Sequence, residues 1–237
     1  MSQDDPAATL VADLRAAIAA AADPERAPAM QAYMKSTLPY RGVRAPELRK
    51  VVRGVLDAHP LPDRTTWERA VCLLWDEAGF REEWYAALAL TGHRHYRAHQ
   101  DPAALSLYRH LVETGAWWDV VDDIAANRVG PILRGSPGAV APTVWAWAHD
   151  EHLWVRRTAI LSQLQSKAAT DTALLRDVLE ANLEGSRHGR NFFIRKAVGW
   201  ALRQHARTDP DWVRAFVDEH AAALSGLTRR EALKHLG

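Results

Sequence analysis

Cysteine is almost absent: Cys72 stands alone among 237 residues, which excludes a disulfide within the chain and fits a reducing cytoplasm. A dominant charge is missing too. Lys plus Arg number 30 against 29 Asp plus Glu, so a polyanionic partner must be held by a local basic surface. No apolar run reaches the roughly 18 residues of a membrane span. The Ala-rich run Ala16 to Ala22 follows Asp4, Asp5 and Asp13, where a signal peptide carries positive charge, so no export signal is expected. Neither a glycine-rich phosphate loop nor a Gly-x-Ser-x-Gly turn is present. His93, His95 and His99 lie close together without a cysteine or a carboxylate at ligand spacing, and they read as surface or phosphate-contacting residues. No metal and no cofactor are therefore expected. Cys72, among Ala70, Val71, Leu73 and Leu74, reads as a small buried residue and not as a nucleophile.

What is abundant is helix former. The length suits a single domain over residues 1–237 with a sizeable core, residues 1–8 forming a loose N-terminus. Asp-Pro recurs at Asp5-Pro6, Asp23-Pro24, Asp101-Pro102 and Asp209-Pro210, pairing a preferred N-cap with the residue preferred at the first helical position. Apolar residues follow helical spacing, as in Leu48, Val51, Val52, Val55 and Leu56, and no strand-type alternation is sustained. About twelve helices and no sheet are predicted on this pattern. Four segments begin with an aromatic and run into a helix, at Trp84, Trp118, Trp154 and Phe193, with starts 34, 36 and 39 residues apart. That spacing predicts an all-α, HEAT-like solenoid of helix pairs whose concave face is a binding surface. An irregular helical bundle is the plainer alternative.

Three of these helices carry residues that a core does not call for. On the Phe193 to Arg207 helix, Ile194, Val198, Ala201, Leu202 and His205 share one face. Trp200 falls on the other with Phe193, Lys196, Arg203 and Arg207. Six basic residues (Arg187, Arg190, Arg195, Lys196, Arg203, Arg207) and no acidic one lie between Arg187 and Arg207. Interleaved cations and rings suit a nucleic-acid groove, although a solvated basic face has the same composition. On the preceding helix, with its apolar stripe at Trp117, Val121, Ile124 and Ala125, Trp118 and Asp122 stand one turn apart. Asp119 and Asp123 offer similar spacing, so spacing alone does not choose between the acids. Arg157 sits within the apolar face formed by Leu153, Ile160, Leu161 and Leu164, where a guanidinium must meet a carboxylate or line an open groove. Trp145 and Trp147, two apart, cannot share a helix face, so at least one is packing.

Five segments, in order along the chain, carry a resemblance: Gln31-Ala32-Tyr33-Met34-Lys35, Trp117-Trp118-Asp119-Val120-Val121-Asp122, Leu153-Trp154-Val155-Arg156-Arg157, Phe192-Phe193-Ile194-Arg195-Lys196-Ala197-Val198-Gly199-Trp200 and Arg229-Arg230-Glu231-Ala232-Leu233-Lys234-His235. Together they resemble the bacterial DNA alkylation repair glycosylases of the AlkD type, from about residue 10 to the end. The resemblance implies a HEAT-like solenoid that grips alkylated double-stranded DNA in its concave groove. It implies release of N3- or N7-alkylated purines in base excision repair, without base flipping and without a metal. It also implies that Asp122 is the catalytic carboxylate, that Trp118 and Trp200 flank the lesion's deoxyribose, and that Arg157 contacts the phosphate backbone. Tyr33, Arg44, Arg49 and Lys50 match a DNA-contacting N-terminal region, and Arg190, Phe193, Lys196, Arg203 and Arg207 complete the expected DNA-binding set. A cytoplasmic monomer, associated with the nucleoid through DNA and without an obligatory protein partner, is the matching expectation. The alternative is a non-enzymatic helical-repeat module that binds DNA or protein.

Overall fold

The structure, a computed structural model, describes residues 5–236. Among these there are fourteen α-helices and no strand. Among the described residues no helix is long and apolar enough to cross a membrane. The described residues group into two compact units that divide between His99 and Gln100.

The first unit contains α1 (Pro6–Ala20), α2 (Ala27–Met34), α3 (Ala45–Ala58), α4 (Arg64–Asp76) and α5 (Arg81–Thr91), followed by a 3-10 segment at Arg94–His99. Asp5 caps α1 by accepting from the Ala7 amide, with Pro6 at the first helical position as predicted. Residues 6–8 are thus helical and not a loose tail, while residues 1–4 of that expectation lie outside the described residues. Asp23-Pro24 does not start its helix directly. Asp23 instead accepts from the Glu25 and Arg26 amides in a turn, and α2 begins at Ala27. Gly42 closes the approach to this turn at φ +82°, where an added Cβ would lie 2.1 Å from the Asp23 carbonyl oxygen. Glu82, fully buried, accepts the amides of Arg41, Gly42 and Val43 at 2.9–3.2 Å, which is how a carboxylate is tolerated there. Trp84, the first of the four repeat-marking aromatics, stacks on Trp75 at 4.6 Å and is packing. Cys72 is half-buried on α4 and not fully enclosed. Burial, and then Asp76 and Glu68, push its thiol pKa upward.

The second unit contains α6 (Leu105–Gly115), α7 (Trp118–Ile124), α8 (Gly130–Gly135), α9 (Pro137–Ala148), α10 (Leu153–Leu161), α11 (Thr172–Glu180), α12 (Phe192–His205), α13 (Pro210–Glu219) and α14 (Gly226–Ala232). Helices α7, α10, α12 and α14 pack each on the next, α9 packs on α10 and α11, and α13 packs on α12. This is the row-and-backing arrangement of a helical repeat, and the predicted starts at Trp118, Trp154 and Phe193 all fall in the first turn of a row helix. Between α7 and α8 the chain widens into a π turn at Ala125–Val129. Pro131 supplies no N–H to the ladder there, and the carbonyl of Asn127, four residues earlier, accepts instead from the Arg128 guanidinium at 2.9 Å. Gly130 lets the π turn press on the end of α10, since a Cβ there would lie 2.3 Å from the Ser162 carbonyl oxygen. Replacing Gly130 by alanine is expected to cost about 1–3 kcal/mol by forcing the two helices apart, and a denaturant midpoint equal to wild type would contradict this packing.

The apolar face read on α10 widens to nearly the whole helix, because Trp154 through Leu161 are all buried. One sequence expectation needs correction here. The α12 helix ends at His205, so Arg207 lies beyond it on an exposed turn. Of the two tryptophans on α9, Trp147 is buried and Trp145 is exposed, as their spacing requires.

Candidate active site

Arg156 and Arg157, adjacent on α10, are both buried and solve the problem of a buried cation in different ways. Arg156 is surrounded by neutral acceptors. Its Nη1 donates to the Ala181 carbonyl at 3.1 Å and to Asn182 Oδ1 at 3.2 Å, and its Nη2 donates to the His149 carbonyl at 3.0 Å. Arg157 faces the opposite row helix and meets a carboxylate. Its Nε and Nη2 donate to Asp122 Oδ1 and Oδ2, both at 2.7 Å, and Nη1 donates to the Phe193 carbonyl oxygen. The fork is bidentate, the geometry in which guanidinium and carboxylate orient one another.

Of the acids of α7, Asp122 is the one that pairs with Arg157. Asp123 turns aside, accepting from Asn127 Nδ2 at 2.7 Å, while Asp122 is drawn onto α10. The expectation that Arg157 touches the DNA backbone is corrected: only 1% of the residue is exposed, and α10 is enclosed by α7 and α12, so the guanidinium does not reach the surface. The Asp122 side chain is 20% exposed against 2% for Arg157, so the pair presents its negative end outward. Burial raises the Asp122 pKa above the ordinary carboxylate value against the opposing pull of Arg157, and Asp119 adds to the rise.

Arg157 also connects the acid to the predicted aromatic wall. Its Cζ lies 5.4 Å from the centre of the Trp200 ring and 6.0 Å from that of Phe193. Phe193 packs on Trp154 at 4.9 Å and on Trp117 at 5.5 Å, an aromatic cluster that joins α12, α10 and the residue preceding α7. Asp122, Arg157, Phe193 and Trp200, drawn from three helices, thus converge. Trp118 opens α7 one turn before Asp122 and is half-buried. The faces of α12 follow the prediction, with Ile194, Val198, Ala201, Leu202 and His205 buried. The opposite stripe is only half-exposed, because Lys196 and Arg203 are tied to Glu231 of α14.

Glu231 is the residue that sequence reasoning passed over. Two cations seven apart on one helix face called for an anion, but it is supplied from 28 and 35 residues away. The remaining basic candidates are freer. Arg190 and Arg207 are exposed, and neither makes an ion pair among the described residues. Each is expected to contribute one phosphate contact, so its replacement by alanine should reduce the slope of log affinity against log salt by about 0.9 on duplex DNA. An unchanged slope would remove that residue from the interface. Tyr33 on α2 is 80% exposed, and Arg44, Arg49 and Lys50 are exposed at the start of α3, all within the first unit. In that unit Asp57 supplies the carboxylate that the local sequence of the His93 cluster lacks. It accepts from His93 Nε2 at 3.0 Å, and its same oxygen pairs with Arg94 at 2.9 Å.

The profile of the DNA alkylation repair enzyme family matches residues 14–236. The chain belongs to that family. A solved structure described as a predicted DNA alkylation repair enzyme from Enterococcus faecalis is similar to this repair-family chain over 91% of its length and 97% of the other's. The two share 30% sequence identity and superpose with a TM-score of 0.79. No curated protein matches it. Membership supports a role in DNA alkylation repair, and all five sequence segments on which the resemblance rested fall within the matched span.

Proposed function

We propose that the protein is a DNA glycosylase that excises cationic N3- or N7-alkylated purines, such as 3-methyladenine and 7-methylguanine, from duplex DNA. The carrying observation is the outward-facing Asp122 carboxylate, fixed by the buried Arg157 beside the Trp200 indole.

Alkylation at N3 or N7 gives the purine a positive charge. When its bond to C1′ breaks, the bonding electrons go to the purine, which leaves neutral and needs no acid to protonate it. The positive charge passes to the sugar, which gains oxocarbenium character. An anion preorganised in a partly desolvated site lowers the energy of that cation more than it would in water. Asp122 meets this need because its partner guanidinium lies on the protein side of the pair, so an approaching sugar is nearer the negative end. The π-faces of Trp118 and Trp200 favour the same charge. Water then adds to C1′, with Asp122 orienting it, and its proton passes to solvent. The resemblance to AlkD-type glycosylases adds that the damaged base stays stacked, so that no base-reading pocket is needed.

The test is release of free bases from methylated duplex, with the bases identified by chromatography and binding to the same duplex measured in parallel. Release of 3-methyladenine and 7-methylguanine, with a neutral damaged base retained, is the expected result. Equal release of neutral lesions would contradict the charge argument. Binding without any release would place the protein among non-enzymatic DNA-binding repeat modules.

A further inference from the structure

The C-terminal helix α14 carries a single carboxylate, Glu231, and both of its oxygens are engaged. Oε1 accepts from Lys196 Nζ at 2.6 Å and Oε2 from Arg203 Nη1 at 2.6 Å. These donors stand four residues before and three after Trp200 on α12. Lys196 Nζ lies 5.6 Å and Arg203 Cζ 5.9 Å from the centre of the Trp200 ring. With Arg157 they place three cations about one indole, compensated by the two carboxylates Asp122 and Glu231.

The sequence secures this clamp by a close approach of backbones. Gly199 precedes Trp200, and a Cβ there would sit 2.6 Å from the Cβ of Glu231 and 3.2 Å from the Thr228 carbonyl oxygen. Only glycine lets α14 come this near. Its register is fixed by Ser225, which caps the helix through the Thr228 amide at 3.0 Å, and by the Thr228 hydroxyl, which donates to the Arg195 carbonyl at 3.2 Å. The Lys196 ammonium holds the Glu231 carboxyl below the usual carboxylate range, against a smaller opposing effect of burial.

We propose that Glu231 is a positioning residue: it holds Lys196 and Arg203 against Trp200, fixing the indole wall of the site and withholding both cations from the DNA phosphates. Without that carboxylate, two long side chains beside a third cation repel one another and swing outward, where a phosphate is the strongest available partner. The part concerning the indole wall rests on the glycosylase reading above; the part concerning phosphates does not.

The experiment compares wild type with Glu231→Gln in single-turnover base release at saturating enzyme and in salt-dependent binding to undamaged duplex. Release should slow about tenfold, and the binding slope should steepen by about 0.9 for each cation that gains a phosphate. In a Lys196→Met/Arg203→Met background, adding Glu231→Gln should change neither quantity, because the residues through which it acts are gone. An unchanged slope in the single variant overturns the proposal, as does an equal effect in the double background. Should Glu231→Gln alone fail to fold, recovery of folding in the triple variant supports the clamp and persistent failure overturns it. If wild type releases no base, the glycosylase reading fails, and the slope alone decides for or against the clamp.

Discussion

Replacing Asp122 by asparagine is expected to reduce base release by about 10²- to 10³-fold, the range found when one preorganised electrostatic group is removed from an active site. Affinity for the methylated duplex should change little, because Asp122 is an anion and makes no attractive contact with phosphate. The structure adds a second consequence. Arg157 is 1% exposed, and an amide can accept from only one arm of its fork. Removing the charge of one partner from a buried pair costs about 3 kcal/mol, which for a chain of this size lowers the melting temperature by roughly 6–12 °C. Release and binding should therefore be measured well below the lowered melting point. Release within about tenfold of wild type would end the catalytic assignment of Asp122, and so would parallel loss of release and binding in a variant that is still folded.

Arg157→Met is expected to separate two roles that sequence alone confuses. A phosphate-contacting arginine, once removed, flattens the salt dependence of binding by about 0.9. The buried Arg157 should leave that slope unchanged and alter the acid limb of the pH–rate profile. In the wild type, burial holds the Asp122 pKa above the ordinary value while Arg157 opposes the rise. Deleting the opposing group leaves burial and Asp119, both of which raise the pKa further. On the mechanism proposed above the ionised carboxylate is the active form, so activity lost on acidification should be lost at a higher pH in the variant than in the wild type. At neutral pH the freed carboxylate also loses its orientation, and a displacement of about 1 Å can cost about 10²-fold in rate. A flattened salt slope with an unmoved acid limb would reverse these assignments.

How much of this was legible in the sequence depends on the range over which each interaction acts. The caps at Asp5, Asp101 and Asp209 were readable because an Asp side chain reaches only its own next few amides. Asp23 fails as a direct helix start for a related reason: its carboxylate is drawn into a turn whose neighbour, Gly42, arrives from elsewhere in the chain. The buried face of α12 follows from a period of 3.6 residues, and so does the stripe bearing Trp200. The anomaly of Arg157 was visible as a cation in an apolar stripe, and one of its two solutions, a carboxylate partner, was foreseeable. Its choice of Asp122 over Asp119 or Asp123 was not, because the choice depends on how α7 lies against α10. Glu231 was hidden for the same reason. It occupies a basic segment in which a single acid attracts little notice, and the clue lay in Gly199, a helix-interior glycine that means close approach only when the second helix is in place.

Cys72 bears on the conditions under which such a protein works. The electrophiles that alkylate purines also attack sulfur, and they attack the thiolate far faster than the protonated thiol. Half-covered on its helix, Cys72 has its pKa pushed upward by burial and then by Asp76 and Glu68, which favours the protonated thiol. The chain has no other cysteine to modify. A single, half-buried thiol whose pKa is pushed upward offers such reagents little thiolate to attack.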